Sequence, residues 1–258
     1  MDIMPKTIAV AGKGGTGKST IAALVIQYLL EKELTPILAI DADPDANLGT
    51  LLGMHSAGTV GDLREEVRRE MKNIPAGVSK SEYMQAGLHE IIEESRGFDL
   101  LSMGRGEGPG CYCSLNNLIR KFSHDLAPSY NWVVFDNEAG LEHISRRTTS
   151  NIDALILVVN YNPISLETAS RINILSETLQ NQIRSKYVVT NMVKEDRLPD
   201  MEAKLSDMNL KPDLHIPYDS VVEEAIFNGK SLLELQNATA KKSIFSLMDK
   251  VRSHNGNS

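Results

Sequence analysis

Residues 12–20 read Gly-Lys-Gly-Gly-Thr-Gly-Lys-Ser-Thr, directly after the apolar run Thr7 to Ala11 and directly before apolar positions at helical spacing, Ile21, Leu24, Val25, Tyr28 and Leu29. A glycine-rich turn between a buried strand and a helix is the setting that the phosphate-binding pattern G-x-x-x-x-G-K-[ST] requires, and Gly12, Gly17, Lys18 and Ser19 meet it. Gly12, Gly14, Gly15 and Gly17 let the loop's backbone N–H groups, from Thr16 to Thr20, close around phosphate oxygens at a helix N-terminus. Lys18 supplies a point charge to the β- and γ-phosphates, and Ser19 a hydroxyl to Mg²⁺. The pattern implies a chain that binds ATP.

The rest of the sequence supplies a matching frame. Short apolar runs at 37–41, 99–103, 132–136, 154–160, 186–190 and 214–216 read as buried strands, with enough chain between them for helices. The expected architecture is α/β, a doubly wound and mostly parallel sheet in a single domain spanning 1–258, with ligand loops at the carboxyl ends of the strands. Charge-rich stretches at 64–72 and 90–96 read as solvated helix faces. No apolar run approaches the about 18 residues of a membrane span. The short N-terminal segment lacks a signal pattern, so the expected location is the cytoplasm. A net charge of −7 argues against whole-surface attraction to nucleic acid or anionic lipid and favours proteins or small ligands as partners.

The second lysine of the loop, Lys13, has no evident use on its own phosphates once Lys18 fills that role, which suggests a dimer. Here the sequence resembles the MinD/ParA/nitrogenase-iron-protein group of ATPases, P-loop proteins with a deviant Walker A motif. The resemblance implies that Lys13 reaches across a nucleotide-sandwich homodimer, formed on ATP binding, to the partner's phosphates. The run Asp41-Ala-Asp43-Pro44-Asp45 resembles the group's first switch. On that resemblance Asp43 orients the attacking water and Asp41 lies nearer the Mg²⁺ shell, although Asp-Pro-Asp also makes a good turn. Trp132 to Asp136 resembles the strand that holds Mg²⁺ through water. The following segment resembles the second switch, where Gly140 would bring an N–H to the γ-phosphate; Glu138, Glu142 and His143 are switch, interface or helix-start residues. Asn191, at a strand end, and Pro217-Tyr218-Asp219, after the next, resemble the adenine-recognition elements.

Cys111 and Cys113 are the only cysteines, one residue apart. A disulfide between them would close a strained ring in a reducing compartment. Thiolate ligation of a soft metal suits them better. Two sulfurs per chain leave a tetrahedral site half filled, and a twofold dimer supplies the other two. With this pair the resemblance narrows to the nickel-insertion ATPases that mature carbon monoxide dehydrogenase (CooC type) or acetyl-CoA synthase (AcsF type). It implies an ATP-hydrolysing metallochaperone that carries Ni²⁺ or Zn²⁺ at Cys111 and Cys113 of a homodimer, with the nickel enzyme as client. Two other readings share the nucleotide motifs. One is an iron–sulfur carrier or reductase ATPase with a cluster on the four thiolates. The other is a metal-free positioning ATPase, for which Ile244, Phe245, Leu247, Met248 and Val251 beside Lys241, Lys242, Lys250 and Arg252 could form a membrane-binding helix; ordinary core packing explains that stripe better.

Overall fold

The computed structural model describes residues 5–54, 58–70, 80–105, 129–138, 151–179 and 183–255. Its strands are β1 (Lys6–Gly12), β2 (Ile37–Asp41), β3 (Glu93–Ser95), β4 (Phe98–Ser102), β5 (Trp132–Asp136), β6 (Ala154–Val159), β7 (Lys186–Asn191) and β8 (Leu214–Ile216). The helices are α1 (Lys18–Glu31), α2 (Leu48–Leu52), α3 (Val60–Arg69), α4 (Lys80–Ile91), α5 (Pro163–Thr178), α6 (Leu198–Ser206), α7 (Ser220–Phe227) and α8 (Thr239–Asn255). One sheet holds all the strands in the order β3-β4-β2-β5-β1-β6-β7-β8. Neighbours pair in parallel except β3 with β4.

The unbroken apolar runs of the central strands follow from helices on both faces of the sheet. Along β1, Ile8 and Val10 enter one core with α1, α2, α7 and α8, while Ala9 and Ala11 enter the opposite core with α5 and α6. Strands β2, β5 and β6 alternate in the same way. A third cluster, with Leu63 and Val67 of α3 and Leu88 of α4 at its centre, caps the ends of β2 and β4 through Ala42, Leu101 and Met103.

One expectation is corrected and another holds. The stretch 90–96 is not one helix face: α4 stops at Ile91, and Glu93–Ser95 turns back as an antiparallel edge strand on β4. Charged side chains suit an edge, where only one side is paired and solvent takes the other. The C-terminal stripe is core, with Ile244, Leu247, Met248 and Val251 at most 1% exposed and the Phe245 ring edge-on to Tyr28 at 5.1 Å. Among the described residues no helix is long and apolar enough to cross a membrane.

Candidate nucleotide site

Strand register brings the sequence-predicted residues to one edge of the sheet. Val10 of β1 and Asp41 of β2 both lie level with Asp136 of β5, and Gly12 lies level with Val158 of β6. The loop from Gly12 to Gly17 therefore rises between β5 and β6, with both carboxylates on its β5 side.

Close packing fixes the loop's shape. At Gly12, with φ +154°, a Cβ would stand 2.3 Å from the Val158 carbonyl oxygen, so no other residue fits. The buried Thr16 hydroxyl donates to the Lys13 carbonyl at 2.8 Å and closes the turn. Gly17, at φ +91°, caps α1, and a Cβ there would meet the Asn191 amide at 2.4 Å. That amide donates to the Thr16 carbonyl at 2.8 Å, so the end of β7 buttresses the loop. The first turn of α1 carries no acidic side chain, which leaves its N–H groups to an anion.

Lys18 is 4% exposed, and its charge acts on both Asp41 and Asp136. Both Asp136 oxygens are buried without a hydrogen-bond partner. Burial, then the Asp41 charge, push this carboxyl up to about 7; the Ser19 hydroxyl is near enough to counter part of the rise without completing a hydrogen bond. An orphaned carboxylate beside a hydroxyl and a lysine is the oxygen environment that a hydrated Mg²⁺ satisfies. Asp41 differs. Its oxygens accept from the backbone N–H groups of Asp43, at 3.1 Å, and Leu48, at 2.8 Å, and so hold the turn between β2 and α2. Burial still raises it to about 6 against those bonds.

Asp43 is half-buried on that turn, with one oxygen accepting from the Asp45 N–H at 3.0 Å. Asp45 is ion-paired with Arg105 at 2.5 Å. Lys13 is half-buried and its ammonium donates to the Gly14 carbonyl at 3.3 Å; among the described residues it has no carboxylate partner. Gly14 and Gly15 are exposed, and Thr20 lies in the first turn of α1 at the edge of an adjoining cavity. That cavity, about 350 Å³, runs from Gly17 and Thr20 past Asn191, Ile216, Pro217 and Tyr218. The three residues read as adenine contacts are thus together, beside the phosphate loop. One N–H of the Asn191 amide, however, is engaged by the loop, which leaves Oδ1 and the second N–H to a ligand.

Sequence reasoning missed Met192 and Phe227, which line the same cavity. Neither carries a motif signal. Cys111, Cys113, Gly140, Glu142 and His143 lie outside the described residues. Among the described residues no three His, Cys, Asp or Glu side chains are grouped to hold a metal ion.

The profile of the CobQ/CobB/MinD/ParA nucleotide-binding domain matches residues 7–233. The chain belongs to this family. It is a MinD/ParA-type P-loop ATPase, for which ATP and Mg²⁺ are the expected ligands. An uncharacterized ATP-binding protein of Methanocaldococcus jannaschii is 43% identical over 95% of this chain and 97% of its own. The carbon monoxide dehydrogenase accessory protein CooC of Rhodospirillum rubrum is 31% identical, covering 91% of this chain and 92% of its own. In fold, the chain is similar to a ParA family ATPase from Chlorobium tepidum, with a TM-score of 0.70, 20% identity and coverage of 94% and 97%. MinD of Pyrococcus horikoshii, solved with Mg-ADP, gives a TM-score of 0.67 at 19% identity with 98% of each chain covered. The MinD/ParA assignment accounts for the parallel sheet, the loop and the paired aspartates together.

Proposed function

We propose that this MinD/ParA-family ATPase is a cytoplasmic metallochaperone. It uses ATP hydrolysis to drive nickel insertion into a nickel–iron–sulfur enzyme, carbon monoxide dehydrogenase or acetyl-CoA synthase. The observation that carries this reading is the Cys111-Tyr112-Cys113 pair in a chain 31% identical, over nine-tenths of its length, to a carbon monoxide dehydrogenase accessory protein. Residues 1–258 serve as one ATPase domain, and the working unit is a homodimer formed on ATP binding. Four thiolates at its axis hold the cargo, Ni²⁺ or Zn²⁺.

In each subunit the loop's N–H groups and Lys18 hold the phosphates, while Ser19 and Asp136 hold magnesium. Mg²⁺ neutralises charge on the phosphate oxygens when bound. Asp43 orients the water whose oxygen bonds to the γ-phosphorus as the bond to ADP breaks, and Lys13 serves the partner's phosphates. Gly140 senses the γ-phosphate, and Asn191, Pro217 and Tyr218 take the adenine. The Asp45–Arg105 pair supports coupling between the two ends of this machine. Arg105 precedes Cys111 by six residues in sequence, and it is tied to the turn that carries Asp43.

Asp43→Ala is expected to leave ATP binding intact while cutting hydrolysis roughly 10²-fold or more, since the water loses its orienting carboxylate. A normal single-turnover rate in that variant moves the role elsewhere. The metal reading is tested by anaerobic native mass spectrometry with Ni²⁺, with and without ATP, on the protein and on the Cys111→Ser/Cys113→Ser variant. One nickel per dimer, sensitive to nucleotide and lost in the variant, is the expected result. Equal nickel binding by the variant removes the cysteine argument, and iron with sulfide in the purified dimer replaces the metallochaperone by an iron–sulfur carrier.

A further inference from the structure

Phe227 is 88% exposed, the most exposed large apolar side chain among the described residues. Isolated apolar residues on a surface need no explanation. This one has a defined setting, because its ring lines the cavity that begins at Gly17 and Thr20 of the phosphate loop and α1. Tyr218, 57% exposed, lines the same cavity. The cavity wall is otherwise mostly aliphatic or backbone, so two aromatic faces stand at the open side of an apolar slot next to a site for phosphates.

The backbone under Phe227 is held firmly. Asp219 caps α7 by accepting from the Val221 N–H at 3.0 Å, and its other oxygen accepts from the Ala240 N–H at 2.9 Å, which ties α7 to the start of α8. Val222 and Ala225 are buried in the core. Past the ring, the Lys230 N–H returns to the Ala225 carbonyl at 2.9 Å and Gly229 takes φ +64°, so the chain ends the helix tightly. A firmly held helix end thus presents a ring that stands almost wholly in solvent.

We infer that Phe227 is a base-stacking residue of the nucleotide site: its ring closes the open side of the cavity by packing on the purine of the bound nucleotide. The inference rests on the ATP-binding reading of this same site. The phosphate loop fixes one end of the ligand, the cavity is continuous with that loop, and a flat apolar base is the part of a nucleotide that an aliphatic and aromatic slot accepts. A base seated between this wall and the ring removes both faces from water, which accounts for an aromatic side chain at the mouth of the slot.

The test is calorimetric titration of the full-length protein, as wild type, Phe227→Ala and Phe227→Tyr, with Mg·ADP and with Mg·pyrophosphate. Pyrophosphate carries the phosphates without a base. Phe227→Ala is expected to weaken ADP binding by roughly 5- to 100-fold, the range for loss of one base–aromatic stack, with pyrophosphate binding unchanged. Phe227→Tyr, which keeps the aromatic face, is expected to bind ADP within about threefold of wild type. Equal ADP affinity in wild type and Phe227→Ala overturns the inference, and so does equal weakening of ADP and pyrophosphate, which marks a structural role. Wild-type protein that binds neither ligand overturns the nucleotide-site reading itself.

Discussion

Lys18→Ala is expected to abolish ATP turnover, a loss on the order of 10³-fold or more, because the phosphoryl group in flight is stabilised by fixed positive charge. The side chain is only 4% exposed and stands among the loop's N–H groups, with Asp41 and Asp136 close enough to feel its charge. In a site so removed from water the charge acts at low effective dielectric, and water entering the space left by alanine replaces it poorly. Lys18→Arg is not expected to rescue. A planar guanidinium spreads its charge over a rigid fork and does not reproduce the compact point charge of an ammonium at that position. The measurement is single-turnover hydrolysis with Mg·ATP, and undiminished turnover in Lys18→Ala would remove the phosphate-loop assignment. The fold should survive, since the two cores lie beneath the loop and do not include this side chain.

The site was legible in the sequence to the extent that backbone geometry dictates it. A strand buried on both faces must be a continuous apolar run, and it ends where polar groups reach the ligand edge. β2 and β5 do so, their last residues being Asp41 and Asp136. Gly12 was equally legible, because a parallel neighbour one strand away leaves no room for a Cβ. What the pattern does not encode is division of labour. Both aspartates read as magnesium groups, yet Asp41 spends its oxygens on the Asp43 and Leu48 N–H groups while Asp136 has none to accept. Asn191 read as a base contact, and a contact across 175 residues made its amide a brace for the loop.

Other features were illegible for different reasons. β3 has three residues, two of them glutamate, and is a strand only because the backbone of β4 is there to pair with it. Periodicity carries no signal over so short and polar a piece. Phe227 looks in sequence like one more apolar residue on a helix; its exposure follows from its place on the face of α7 opposite the buried Val222 and Ala225. The amphipathic C-terminal stripe, by contrast, read in sequence as core rather than membrane anchor, and packing against α1 through Tyr28 and Phe245 bears that out.

Asp136→Asn is expected to stabilise the ligand-free protein at alkaline pH while removing most of its Mg²⁺-dependent turnover. The carboxyl, fully buried and without a partner, is pushed from an ordinary value of 3.8 up to about 7, chiefly by burial. A folded-state value raised above the unfolded one means that the folded protein resists ionising this group. The penalty is fully present above the folded value and fades as pH falls toward the unfolded one. Linkage puts it at about 4 kcal/mol near pH 8 and about 2 kcal/mol near pH 5. A buried amide with unmet hydrogen bonds costs about 1–3 kcal/mol at either pH. The neutral carboxyl it replaces has the same unmet hydrogen bonds, so the gain over wild type should be larger at pH 8 than at pH 5 by about 2 kcal/mol, a difference of roughly 4–8 °C in Tm. Hydrolysis with saturating Mg·ATP should fall about 10²-fold or more, since in the proposed site the hydrated cation would lose its anionic anchor beside Ser19. Thermal melts at the two pH values and single-turnover assays read both effects. Equal Tm at pH 8 would mean that another group already satisfies the carboxylate, and full turnover would place magnesium on other residues. The opposed signs follow from one cause: a carboxylate kept dry and unpaired weakens the empty fold by the same electrostatics that, in the proposed magnesium role, would draw a hydrated dication to it.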